Sequence, residues 1–378
     1  MMSDITTLDN RTDNLFNRIS ELIEQSRRQV AMAINVAEVY TKYEIGHHII
    51  ENEQQGKARA GYGKGVLKEL SARLTERFGS GWSVETLDRC RKFYSVYSSR
   101  KISSTPQTKL PNENSVTLQR NSSTMQTNSV LSHDSMPSFS LSWNHYQVLM
   151  RIQNPDERNF YEIESRQQQW SVRQLKRQVG SSLYERLALS RDKDEVMRLA
   201  REGQTVEKPT DIIKNPITLE FLGLKPDAAY TESNLEKAII SKLQQFLLEL
   251  GKGFLFEARQ KRFTFEERNF YVDLVFYNRL LQCYVLIDLK TGDLTHQDLG
   301  QMQMYVNYYD RYIRQDFEKP TIGILLCETA NDSLVELTLP EDANIYAQQY
   351  TLYLPDKALL QNKLREWVAE FNEKEGNG

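Results

Sequence analysis

The sequence predicts a two-part α+β protein: an all-helical N-terminal region followed by an α/β region whose elements run α-β-β-β-α-β. Three observations carry that expectation. The runs Phe270–Tyr277 and Cys283–Lys290 are apolar at both parities, the pattern of strands covered on both faces. Helical periodicities flank them on either side. Residues 102–140 are dominated by Ser, Thr, Asn and Gln with little aliphatic periodicity, the composition of a flexible linker or insertion. At 378 residues the chain is long for one domain, and its 39% hydrophobic content suffices for ordinary cores.

In chain order, residues 1–101 are expected to be helical. Val66, Leu67, Leu70, Leu74 and Phe78 form one apolar stripe, Gly79-Ser80-Gly81 makes a turn, and Ser83 is a good N-cap for a second helix from Val84. Between Lys57 and Lys101 stand eleven Lys and Arg against four Asp and Glu, although the whole chain carries only −3. Helix, glycine turn and a basic helix bearing Arg89, Arg91 and Lys92 outline a helix-turn-helix, with Lys64 and Lys68 on the preceding helix. The other reading is a basic helical hairpin whose charges serve solubility. Residues 141–205 are expected to continue the helical domain, and Ser171 caps a short basic helix carrying Arg173, Lys176 and Arg177. Residues 206–378 are expected to form the α/β domain. It should open with one amphipathic helix from Leu235 to Leu250 that stops at Gly251. A strand Phe254–Phe263, the two apolar strands, a helix from about His296 to Tyr312 and a strand Thr321–Cys327 follow.

The chemistry lies where charge interrupts those strands. Asp273 breaks the first apolar run, and Asp288 and Lys290 the second. Buried charges are costly unless paired or metal-bound. Asp288 and Lys290 are two apart, so they share a strand face, and a tight turn around Asn278-Arg279 would fold Asp273 back toward it. Two carboxylates beside an ammonium suit Mg²⁺ (or Mn²⁺) at a phosphodiester, with the lysine orienting the nucleophile and neutralising developing charge.

This spacing, with Asp288-x-Lys290 fifteen residues after Asp273, resembles the PD-(D/E)XK nuclease superfamily, and the α-β-β-β-α-β order is its core order. Gln301 and Tyr305 form a Q-x-x-x-Y one helical turn apart that resembles the RecB-like and junction-resolvase branches, which places both at the site. Longer strings narrow the resemblance. Val39–Gly46, Tyr62–Gly65, Phe78-Gly79, Leu141–Tyr146, Phe160–Glu164, Trp170–Leu175 and Leu183–Ser190 are similar to the bacterial YhcG family, whose C-terminal half is a PD-(D/E)XK nuclease domain. The family usually has Glu where this chain has Asp288, and either acid binds Mg²⁺. By its position the resemblance implies that Glu236 joins the metal site, but Ser233-Asn-Leu-Glu236 is also a capping box, and both readings stand.

The function expected is a Mg²⁺-dependent endodeoxyribonuclease whose N-terminal domain positions DNA. The alternative is a catalytically inactive DNA-binding or adaptor protein on a nuclease fold. Cutting two strands would suit a homodimer. No apolar run of about eighteen residues and no signal-peptide layout is present, so no membrane partner is expected and the cytoplasm is the expected compartment. Cys90, Cys283 and Cys327 lack metal-site spacing and read as reduced packing residues.

Overall fold

The computed structural model describes residues 2–55, 60–98, 137–189, 193–214, 216–224, 230–330, 332–340 and 343–376. Two compact units divide between Arg151 and Ile152. The segment read as a linker, 102–140, lies outside the described residues except for 137–140.

The first unit holds α1 (Met2–Gln55), α2 (Ala60–Phe78), α3 (Val84–Tyr97) and α4 (Trp143–Leu149). The expected helix pair is present: Gly79 and Gly81 take positive φ between α2 and α3, and Ser83 caps α3 by accepting the Thr86 N–H. Gly46 lets α1 and α3 touch, since a Cβ there would stand 2.1 Å from the Cys90 carbonyl oxygen. Phe139 is buried against Tyr43, Phe93 and Tyr146. That end of the expected linker therefore belongs to the core.

The second unit begins with α5 (Pro155–Gln167), α6 (Val172–Gly180), α7 (Leu183–Ala188) and α8 (Lys193–Glu202). This differs from the expected division, in which 141–205 continued the N-terminal domain. Buried charges tie these helices to the α/β part. Glu249 receives Arg186 and Arg177, each at 2.6 Å, and Glu164 receives Lys252 at 2.7 Å.

Beyond them come β1 (Ile217–Thr218), α9 (Glu232–Ser241), α10 (Leu243–Leu250), β2 (Phe254–Phe265), β3 (Arg268–Asn278), β4 (Cys283–Leu289), α11 (His296–Tyr312), β5 (Ile322–Cys327), α12 (Asp332–Thr338), β6 (Ile345–Thr351) and α13 (Lys357–Gly376). Among the described residues these strands form one sheet in the order β1-β6-β5-β4-β3-β2, antiparallel across β2-β3-β4 and parallel from β4 to β6 and β1. Leu235, Ile239, Phe246 and Leu250 of α9 and α10 pack one face, against Val285, Ile287 and Leu289 of β4. Leu299, Met302 and Tyr305 of α11 pack the other, against Leu286. A strand between two helical layers needs apolar residues at both parities, which is what the sequence of β4 has. Gly323 in β5 admits α11 closely, since a Cβ there would meet Met302 Cγ at 2.7 Å.

Two local expectations change. The single helix 235–250 breaks at Lys242, where ψ turns to 29°, next to Ser241, whose hydroxyl donates to the Ala238 carbonyl. The β3–β4 turn is also longer than a tight Asn278-Arg279 turn. Asn278 still pairs with Cys283, and its Oδ1 accepts the N–H groups of Leu280 and Leu281. Among the described residues no helix is long and apolar enough to cross a membrane.

Candidate active site

Strand register brings the two aspartates together. The ladder of β3 and β4 ends at the Leu274–Ile287 pair, and the next residue of each strand, Asp273 and Asp288, comes into the same place. β4 lies inside the sheet, so Asp288 is only 4% exposed, and it shares the parity of Leu286, on the face that α11 covers. Asp273 Oδ2 accepts the Leu289 N–H at 2.9 Å, which fixes that carboxylate across the hairpin. Lys290 follows the strand in register, its N–H bonded to the Leu326 carbonyl.

Charge converges on Lys290. Its Nζ stands 2.9 Å from Asp288 Oδ2, 3.5 Å from Asp298 Oδ1 and 3.8 Å from Glu232 Oε2. Burial pulls the ammonium's pKa down, but Asp288, Glu232 and Asp298 together outweigh it and the net shift is upward, so Lys290 stays charged. Asp288 is pushed up to about 7, by burial first and then by the charge of Asp273, with Lys290 only partly offsetting both. Its Oδ2 is buried and makes no hydrogen bond, and the Lys290 ammonium stands 2.9 Å from it as an ion pair.

The α9 glutamate joins this group through a neighbour. Thr231, not Ser233, caps α9, accepting the Asn234 N–H, so Glu236 is not engaged as a cap. Glu236 is buried, and its Oε2 accepts Gln260 Nε2 at 2.6 Å. The same nitrogen donates to Asp273 Oδ1 at 2.8 Å. Arg259 Nε lies 3.8 Å from Glu236 Oε1.

α11 closes the other side. Thr295 and Asp298 form its capping box, which leaves Asp298 Oδ1 to face Lys290. Gln301 Nε2 donates to the Tyr305 hydroxyl at 2.5 Å. Tyr305 is buried, and its pKa is pushed up to about 12 by burial and then by Asp288. The phenol therefore stays protonated, with its own proton left for another acceptor. Gln260, Asp298 and Glu232 complete the surroundings of the six residues that the sequence singles out. The T-x-x-D of Thr295 and Asp298 was a readable signal, whereas nothing in the sequence marks Gln260. Among the described residues no group of His, Cys, Asp and Glu is gathered tightly enough to hold an ion as it stands. The Gln260 amide occupies the space between Glu236 and Asp273.

The basic residues fare unevenly. Lys68, Lys92, Arg173 and Lys176 are exposed, while the side chain of Lys64 lies outside the described residues. Arg89 is paired with Glu85, and Arg91 with Asp88 and with Glu53 at 3.1 Å. Arg177 must be withdrawn from any nucleic-acid surface, because Glu220 and the buried Glu249 hold its guanidinium at 3.0 and 2.6 Å.

Comparison with known proteins identifies the family. Residues 210–365 match the family described as YhcG PDDEXK nuclease domain, and residues 18–186 match the DUF1016 N-terminal domain. The Escherichia coli (strain K12) protein named "Putative nuclease YhcG" is 36% identical over 356 residues, covering 94% of each chain. A crystal structure of a repair endonuclease from Pyrococcus abyssi aligns over 35% of this chain and 50% of its own, at 19% identity and a TM-score of 0.23. The chain belongs to the YhcG family, with a PDDEXK nuclease domain at its C-terminus and a DUF1016 domain at its N-terminus.

Proposed function

We propose that this protein is a divalent-metal-dependent endodeoxyribonuclease that hydrolyses phosphodiester bonds. The observation that carries this is Asp288 Oδ2, a buried carboxylate oxygen without a hydrogen-bond partner, beside Asp273 and flanked by Lys290. Such an atom is what a hard cation satisfies, so the residues present fit Mg²⁺ (or Mn²⁺), held by Asp273 and Asp288 with Glu236 beside them. When bound, the ion supplies an activated water and offsets charge on the leaving oxygen.

The protein's own residues do the rest. Lys290, kept charged by Asp288, sets a fixed positive charge where the scissile phosphate gains negative charge, and Asp298 and Glu232 limit its swing. Gln301 orients the Tyr305 hydroxyl, whose proton can be donated to a substrate oxygen. The exposed Lys68 and Lys92 are the groups suited to phosphate contacts in the first unit, and Arg173 and Lys176 in the second.

A homodimer is part of this reading. Leu15, Phe16, Ile19, Leu22, Ile23, Val30 and Ile34 are exposed along one stripe of α1, and a second copy would cover them. A reducing, cytoplasmic setting is also part of it, supported by the buried thiols of Cys90, Cys283 and Cys327.

The test is cleavage of double-stranded, single-stranded and branched DNA, and of RNA, with Mg²⁺, with Mn²⁺ and with chelator. Metal-dependent DNA cleavage that is lost in Asp288→Ala is expected. Binding without cleavage under every condition would favour an adaptor.

A further inference from the structure

Gln260 sits on β2 between Arg259, paired with Leu274, and Lys261, paired with Val272, and so lies across from Asp273. Its backbone takes φ 45°, a conformation that non-glycine residues rarely adopt and that collects at functional sites. That conformation aims one side-chain amide nitrogen at two carboxylates on different elements, Glu236 of α9 at 2.6 Å and Asp273 of β3 at 2.8 Å. Without the amide the two like charges repel, and Glu236 has Arg259 3.8 Å away as another partner.

We propose that Gln260 is a positioning residue that holds Glu236 against Asp273 and thereby makes Glu236 the third carboxylate of the metal site. This rests on the metal-dependent reading above. The choice of a neutral donor has a physical reason. A lysine or arginine at this place would compete with a divalent ion for the same oxygens, whereas an amide yields them without moving a charge. An ion held by both carboxylates would compete with the amide for their oxygens and displace it. Gln260 therefore keeps the pair gathered until the ion arrives. Its solvent-exposed position leaves room for the side chain to withdraw.

The test is calorimetric titration of the full chain with Mn²⁺, with thermal unfolding measured alongside, for Gln260→Ala, Gln260→Gly, Glu236→Gln, the Gln260→Gly/Glu236→Gln pair and Asp273→Asn. Each Gln260 variant is expected to weaken Mn²⁺ binding roughly ten-fold or more, the usual cost of losing a group that orients a metal ligand. Glu236→Gln should weaken it comparably, and the pair should be no weaker than Glu236→Gln alone. Gln260→Gly should melt at or above the wild-type temperature, since glycine takes φ 45° without strain, which separates positioning from folding. Unchanged affinity in either Gln260 variant, losses that multiply in the pair, or an unfolded Gln260→Gly protein would each overturn the proposal. If Asp273→Asn binds Mn²⁺ as the wild type does, the metal-dependent reading itself fails, independently of Gln260.

Discussion

Asp273 Oδ2 and the Leu289 N–H meet at 2.9 Å across the β3–β4 hairpin, and this bond joins the two strands that carry the candidate site. It holds one carboxylate beside the other in spite of their like charge. It also leaves Asp273 Oδ1 turned toward Gln260 and Glu236. The backbone ladder, not an ion pair, therefore sets the spacing of the two acids.

Asp273→Ala, Asp288→Ala and Lys290→Ala are each expected to lower single-turnover DNA cleavage by about a hundred-fold or more, the scale of losing one preorganised charge-stabilising group. The carboxylate variants should also lose Mn²⁺ binding. Lys290→Ala should keep it, because the lysine is no ligand. Calorimetry and cleavage measured on the same preparations check this, and full cleavage by any one variant would remove that residue from the mechanism.

Asp288 gives a pH signature. Its folded pKa of about 7 lies above the ordinary carboxylate range near 4, so the folded, metal-free protein keeps a proton that the unfolded chain has already released. That contribution to stability is complete below about pH 4, falls as the pH rises toward 7, and is flat beyond. A divalent ion replaces the proton, so apparent metal affinity should rise across the same window. Thermal unfolding with chelator at pH 5 and pH 8 should show a smaller drop for Asp288→Asn than for wild type. Equal drops would place the raised group elsewhere.

Glu249 and Arg186, both fully buried and 2.6 Å apart, make the opposite case. Burial raises the Glu249 pKa, but Arg186, Arg177 and Lys214 outweigh it and bring it down to about 2. Its contribution is present above the ordinary glutamate pKa and is lost as the pH falls through about 2. Arg186→Ala is expected to destabilise by about 3–5 kcal/mol, since it leaves a buried charge uncompensated. Urea unfolding near pH 7 measures this, and a loss below about 1 kcal/mol would mean that the network relaxes around the gap.

The salt dependence of DNA binding separates free from engaged basic residues. Lys68→Gln with Lys92→Gln is expected to flatten the slope of log affinity against log salt by about 0.9 per lost phosphate contact. Arg89→Gln with Arg91→Gln should change it less, because Glu85, Asp88 and Glu53 already neutralise those guanidinium groups. An equal effect from both pairs would show that the arginines leave their partners on DNA.

Much of this was legible in the sequence because it depends on local periodicity and spacing. The bounds of β4 and α11, the Ser83 cap and the convergence of Asp273 with Asp288 and Lys290 all follow from alternation and short offsets. What was hidden depends on partners distant in sequence. Arg177 reads as a basic surface residue until Glu220 and Glu249 arrive from elsewhere in the chain. The sequence of 141–205 shows helical periodicity but not the ion pairs that tie Arg186 to Glu249 and Glu164 to Lys252. Gln260 is one glutamine in a polar strand, and only its backbone angle and its two carboxylate partners distinguish it.

The stripe on α1 is the surface on which the proposed homodimer is tested. Phe16, Ile19, Ile23 and Val30 recur at offsets of three, four and seven, and Leu15 and Leu22 flank them seven apart, which is a heptad face wider than a two-stranded seam. All are exposed, and together with Ile34, at roughly 100 Å² each, they offer on the order of 700 Å², near the per-partner area of a stable interface. Polar positions beside the stripe carry both signs, Arg18, Glu21 and Glu24, so a second copy need not stack like charges. Sedimentation of the full chain at micromolar concentration is expected to show a dimer. Ile19→Glu with Ile23→Glu should shift it to monomer without loss of helical signal, because neither residue supports the fold of its own unit. A monomeric wild type at that concentration, or a dimer unchanged by the double substitution, would assign the stripe a different occupant.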